Sequence, residues 1–254
     1  MARLTAVENK AAMSEAAAER ITSLVEAAVA SRGIAAVSLT GGSTPDLLYE
    51  LLADPKRPWR QRIDWARLHL FWGDEREVPP DHPESNYGLA HRMLLRHVLI
   101  PETQVHRMRG ELPASDAGRL YDAVLRARRD QTAGPLFDVM LLGIGENAHI
   151  ASIFPGSPLL LPGQEDARQP LATGVAVPEL GTWRITMTPP ALLDSAAIVM
   201  IAANASKADA IAAALEGPLD VSRYPAQLLR EAGDRVEWII DSAAAARLRA
   251  APRA

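Results

Sequence analysis

The sequence predicts an α/β fold built on a mainly parallel sheet covered by helices on both faces. Three observations lead there. Short uninterrupted apolar runs alternate with stretches of helical periodicity, the signature of strands buried on two sides. Those runs end abruptly in loops rich in glycine or charge. The 254 residues are 48% apolar and 23% charged, enough for one large core, so residues 1–254 are expected to form a single domain.

Residues 9–31 carry alanine-rich helical periodicity that stops at Arg32-Gly33. Ile34–Thr40 reads as a buried strand and Asp46–Ala53 as a helix, with Thr44 as its cap and Pro45 at its first position. Leu68–Trp72 is a second strand, followed by a loop over Gly73–Pro83 and a helix from Ser85, its cap, to His97. Residues 114–131 form an amphipathic helix, and Phe137–Leu142 is a central strand ending at Gly143. Prolines and glycines make 155–170 irregular. Strands are expected at Ala172–Val177, Arg184–Met187, Ala197–Ala202 and Val236–Ile240, with helices over 205–216 and 242–249.

Composition excludes several classes of function. Thirty-one acidic residues against 27 basic ones leave a net charge of −4, without the basic footprint of a nucleic-acid binder. The absence of cysteine removes disulfides, thiolate catalysis and cysteine-held metal. The six histidines lack metal-binding spacing, so no metal site is expected. No stretch has the apolar length of a secretory signal or a membrane span, so a soluble cytoplasmic protein is expected. Lysine is scarce: Lys10, Lys56 and Lys207 stand against 24 arginines.

In parallel sheets, ligands bind beyond the carboxyl ends of the strands, which directs attention to three loops. Gly41-Gly42-Ser43-Thr44 turns between strand and helix and can present N–H donors to a phosphate or an oxyanion. Gly73-Asp74-Glu75-Arg76 sets alternating charges directly after a buried strand; Arg76 offers a planar fork to phosphate, and Asp74 or Glu75 can orient it. The third loop, Gly143-Ile-Gly-Glu-Asn147-Ala148-His149, matches a dinucleotide fingerprint with Glu165 or Asp166 downstream. Pro155-Gly156-Ser157-Pro158 leaves no room for the required helix, so that reading is rejected. What remains is His149 at the mouth of the sheet, a candidate base near neutral pH.

Taken together and in order, these stretches resemble the 6-phosphogluconolactonase family. The matching segments are Thr40–Pro45, Gly73–Arg76 with Val78-Pro79 and Ser85-Asn86-Tyr87, and Leu141 through His149 to Gly156. Arg184–Met187, Ala205–Ala208 and Tyr224–Leu228 follow, so the likeness spans roughly 35–240. The resemblance implies a three-layer α/β/α fold of the sugar-phosphate isomerase/deaminase type and hydrolysis of 6-phospho-D-glucono-1,5-lactone without a cofactor. It implies His149 as the base, with Asn147 and Glu75 (or Asp74) assisting. Gly41, Gly42, Ser43, Thr44, Asp74, Arg76, Asn86, Arg184 and Lys207 would bind the substrate, its phosphate or the oxyanion. The implied partner is a small sugar-phosphate lactone, with neither nucleic acid nor membrane, for a monomer or small homo-oligomer.

The third loop departs from the family pattern Gly-x-Asp-Gly-His-Thr-Ala-Ser. Asn147 stands for the aspartate, Ala148 for the glycine and Ile150 for the threonine. Asparagine lacks the charge that raises a neighbouring imidazole's basicity, and alanine resists positive φ. Activity is therefore expected to be retained but reduced, or shifted in pH. Two alternatives stand beside the lactonase. One is a non-catalytic sugar-phosphate sensor. The other is a glucosamine-6-phosphate deaminase/isomerase, whose pattern calls for a carboxylate where Ala151-Ser152-Ile153-Phe154 has none.

Overall fold

A computed structural model describes residues 2–161 and 169–249. In chain order the strands are β1 (Arg3–Val7), β2 (Ala35–Leu39), β3 (Leu68–Trp72), β4 (Asp74–Arg76), β5 (Phe137–Leu142), β6 (Ala172–Val177), β7 (Thr182–Met187), β8 (Ser195–Ala202) and β9 (Val236–Asp241). The helices are α1 (Lys10–Arg32), α2 (Asp46–Ala53), α3 (Pro58–Arg62), α4 (Asn86–Met93), α5 (Ala114–Gln131), α6 (Pro189–Leu193) and α7 (Ala208–Glu216). Six strands form one parallel sheet in the order β1-β9-β8-β5-β2-β3. The order reverses direction between β2 and β5, where such sheets open a crevice.

Both faces of the sheet are buried because the central strands present apolar side chains on either side, with few polar exceptions such as Ser38 and Asp138. Along β5 and β8, Met140, Leu142, Ile198 and Met200 join the core under α5, α6 and α7. Val139, Leu141, Val199 and Ile201 join the core under α1, α2 and α4. The outcome is the three-layer α/β/α arrangement with a mainly parallel sheet.

Several expectations are corrected. Arg184–Met187 lies in a separate antiparallel sheet, β4-β7-β6, whose strand β4 falls inside the segment read as a loop. Its sequence Asp-Glu-Arg has no apolar pattern, and its pairing partner is far along the chain. The edge strand β1 was not anticipated, since its half-exposed Arg-Leu-Thr-Ala-Val lacks an apolar run. The helix after Ser85 ends at Met93, with a tighter turn over Leu95–His97. Residues 242–249 form turns, because the Asp241 carboxylate accepts the N–H of Ala244 at 2.7 Å and ties the segment to Asn204 at 3.1 Å. Thr44 does not cap α2, and Pro45 flanks it outside the first turn. Asp46 instead accepts from Leu47 N–H and from Lys10 Nζ, both at 2.6 Å. Of the irregular stretch 155–170, residues 162–168 lie outside the described residues, Glu165 and Asp166 among them. Among the described residues, no helix is long and apolar enough to cross a membrane.

Two buried tyrosines fix the strand ends from which the loops depart. Tyr49 O–H donates to the Thr40 carbonyl at 2.5 Å and its oxygen accepts the Thr40 N–H at 3.1 Å. Tyr121 does the same at Trp72, accepting at 2.9 Å and donating at 3.3 Å. Each phenol thus stands in for a missing sheet partner, and burial raises both phenol pKa values well above the ordinary range. Replacing Tyr49 or Tyr121 by phenylalanine strands a buried N–H and C=O and should cost about 1–3 kcal/mol each, read from the urea unfolding midpoint. A cost below a few tenths would show that the clamps are dispensable.

Candidate functional site

The ends of β8, β5, β2 and β3 stand side by side and send their loops into one cleft. Its inner part is lined by Thr40–Thr44, Asp74, Arg76, Asn86, Gly143–Gly145, His149, Ala151 and Lys207. Its outer part adds Asn147, Phe154, Glu179 and Arg184. The sequence-derived candidates therefore converge, with Glu75 the exception.

The first loop turns at Gly42, whose φ of 84° suits glycine alone without strain. Lys10 Nζ holds the Ser43 carbonyl at 2.6 Å. Among the described residues, the N–H groups of Gly42, Ser43 and Thr44 have no protein acceptor, which leaves three unpaired donors on residues that line the cleft.

In the second loop, Asp74 is buried and joins two loops. Its Oδ1 accepts from Asn86 Nδ2 at 3.0 Å and its Oδ2 from Ser152 Oγ at 2.6 Å. Neither Asp74 nor Glu75 orients Arg76, which donates to the Glu84 carbonyl instead. Glu75 lies beneath the cleft, its oxygens accepting the N–H groups of Asn86, Tyr87 and Arg76 at 2.7–2.8 Å and Ser85 Oγ at 3.0 Å. Burial raises its pKa and the three N–H bonds oppose that. This carboxylate is committed to the start of α4. The expected cap by Ser85 is present, its Oγ accepting Gly88 N–H at 2.9 Å.

Antiparallel pairing places Arg76 directly opposite Arg184. Among the described residues, neither these two nor Lys207 has a carboxylate within ion-pair distance. Burial first, then the Arg76 charge, holds the Arg184 pKa below its ordinary value. Half-buried cations kept together without a direct ion pair make a site for an anion.

The third loop places His149 at the centre. Its ring stacks on Phe154 with centroids 4.1 Å apart, and a Cβ on residue 145 would come within 2.0 Å of Nδ1, so only glycine fits there. Asn147 Oδ1 receives the His149 backbone N–H at 3.2 Å, while Asn147 Nδ2 donates to Glu179 at 3.0 Å. An unambiguous donor on one side and an unambiguous acceptor on the other fix the amide's orientation. The 2.7 Å contact from His149 Nδ1 to Oδ1 therefore runs from Nδ1–H, and the lone pair sits on Nε2. Ala148 does adopt positive φ, at 62°, and so does Ala151, at 47°. Each costs about 1–2 kcal/mol. At Ala148 complete burial and a 2.9 Å bond from Ala226 N–H to its carbonyl hold the loop in place. The late segment around Pro225 thereby supports the site.

Desolvation pushes the His149 pKa down to about 4; Asp74 opposes this, whereas Lys207, Arg184 and Arg76 reinforce it. The folded chain consequently binds fewer protons at this site than the unfolded chain does between pH 6.5 and about 4. This contribution to stability is full above pH 6.5 and is lost as pH falls towards 4. Replacing His149 by glutamine should flatten stability across that window. Adding inorganic phosphate, which screens the cations, should raise the His149 pKa in an NMR titration. An unmoved resonance would place the anion elsewhere.

Ser152, Tyr49, Tyr121 and Glu179 belong to this constellation without having been singled out from sequence. Ser152 lies within the third motif, so its presence was visible but not its bond to Asp74. Glu179 has no local signal tying it to residue 147.

The family model described as glucosamine-6-phosphate isomerases/6-phosphogluconolactonase matches residues 8–238. A 6-phosphogluconolactonase of Synechocystis sp. is 36% identical over 245 residues, covering 95% of this chain and 96% of the relative. Another from Mycobacterium bovis is 40% identical over 241 residues, covering 92% and 93%. The solved structure of the 6-phosphogluconolactonase from Trypanosoma cruzi is 25% identical with a TM-score of 0.82, covering 98% of each chain. Matched by the family model over residues 8–238 and in fold over 98% of its length, this chain belongs to the glucosamine-6-phosphate isomerase/6-phosphogluconolactonase family.

Proposed function

We propose that this chain hydrolyses 6-phospho-D-glucono-1,5-lactone to 6-phospho-D-gluconate, the second step of the oxidative pentose phosphate pathway. The observation that carries the reading is an imidazole with a free Nε2 set beside three cations that, among the described residues, have no carboxylate within ion-pair distance. The names of its relatives support the same activity. A lactone is already reactive, so a positioned base and oxyanion donors suffice, without a covalent nucleophile or a cofactor.

In this mechanism Nε2 of His149 takes a proton from water as the oxygen attacks the lactone carbonyl. Arg76, Arg184, Lys207 and the Gly42–Thr44 N–H groups share the phosphate and the tetrahedral oxyanion. As that intermediate collapses, the bond from the carbonyl carbon to the ring oxygen breaks, and the imidazolium returns the proton to that oxygen. Asn147 keeps Nδ1 protonated and Nε2 basic. Asp74 and Asn86 hold the second loop against the third, and Glu75 holds Asn86 through its backbone.

Phe154 bears on the choice of chemistry. It occupies the position where the deaminase reading requires a carboxylate, and its ring packs on His149 instead. We propose the cytoplasm as the setting of this chain, a reading that the cysteine-free composition supports.

The test is lactone hydrolysis above the spontaneous background, with the lactone made in situ by glucose-6-phosphate dehydrogenase and the acid read by 6-phosphogluconate dehydrogenase. His149→Ala should lower kcat by about 10²- to 10⁴-fold while 6-phosphogluconate still binds. Arg184→Ala or Lys207→Ala should instead raise KM, losing about 1.5–3 kcal/mol of charge-assisted contact. Tight binding of 6-phosphogluconate with no rate above background would support the sensor reading.

A further inference from the structure

On its imidazole side, Asn147 sets a neutral amide where the family pattern has a charged aspartate. Its other side is occupied by Glu179, whose Oε1 accepts from Nδ2 at 3.0 Å. Glu179 sits in the short turn Pro178–Leu180 between β6 and β7, which are paired up to Val177 and Thr182, so the hairpin holds it over the loop. Nδ1–H of His149, the Asn147 amide and the Glu179 carboxylate form one line of hydrogen bonds, with the His149 backbone N–H also donating to the same Asn147 oxygen.

We propose that Glu179 is a positioning residue for the hydrolysis, restoring through the Asn147 amide the negative charge that residue 147 itself lacks. This rests on His149 being the base. When Nε2 takes the proton of the attacking water, positive charge appears on the ring. The Nδ1–H donor strengthens, the amide polarises, and the carboxylate at the far end stabilises the separated charge. No proton moves along the line; Nδ1 and Nδ2 keep theirs throughout.

The other charges facing His149 make such a counterweight useful. Arg76, Arg184 and Lys207 all disfavour the imidazolium, Asp74 alone among them favours it, and Phe154 covers one face of the ring with an apolar surface. The neighbouring Glu146 is exposed and, among the described residues, makes no hydrogen bond to the imidazole or to Asn147. Glu179 is exposed too, so its substitution does not threaten folding.

Glu179→Gln is the informative variant because its amide oxygen can still accept from Asn147, removing the charge and keeping the bond. It should lower kcat about five-fold with KM unchanged and shift the acidic limb of the kcat–pH profile to lower pH, since a less stabilised imidazolium loses its proton more readily. Asn147→Asp should rescue a Glu179→Ala enzyme and yet give no gain while Glu179 is present, where two carboxylates would meet. Parental kcat and pH profile in Glu179→Gln would overturn the inference, as would a rise in KM alone, which would make Glu179 a substrate contact. Failure of the base assignment is separable: His149→Ala would then retain its rate, whatever Glu179 does.

Discussion

The site depends on one buried carboxylate, that of Asp74. It is held by Asn86 at the start of α4 and by Ser152 from the third loop, so it joins segments that leave β3 and β5, the strands on either side of β2. A buried charge is costly unless its hydrogen bonds are complete. Here the nearby cations compensate it and it compensates them, which allows Arg76 and Arg184 to face one another across a two-strand ladder. The remaining surplus of positive charge is what a phosphate ester would satisfy. The same carboxylate also favours protonation of His149, so anion binding and base strength are tied to one group.

Much of this architecture was legible because the sheet is buried on both faces. Runs such as Phe137–Leu142 cannot be anything but interior, and loops with glycine or charge at their ends have few structural uses there. The convergence of Gly42, Arg76, His149 and Lys207 followed from strand-end logic and from the family likeness. What stayed hidden depends on partners distant in sequence. Strand β4 exists because β7 pairs with it, and Tyr49 and Tyr121 look like ordinary core aromatics until their hydroxyls are seen to close strand ends.

The third loop shows how a local reading can be right in its parts and incomplete in its conclusion. Alanine at 148 does take the disfavoured conformation, as its replacement of glycine implied. Asparagine at 147 does remove a charge from beside the imidazole. Sequence could not show that its amide is pinned from both ends, which converts an apparent loss into a fixed tautomer. Strain in such a loop persists because burial and the bond from Ala226 leave it no cheaper arrangement.

The place of β1 bears on how the molecule is made. Arg3 pairs with Glu237, so everything from residue 4 to 236 separates the two partners. During synthesis the first strand has nothing to join until β9 emerges, and until then β8 presents an open parallel edge. Closing that pair is the longest-range event in the sheet and carries the largest loop-closure entropy. The central strands can be in place while the border is still unsealed, and in that interval the nascent chain is most open to pairing with a neighbour.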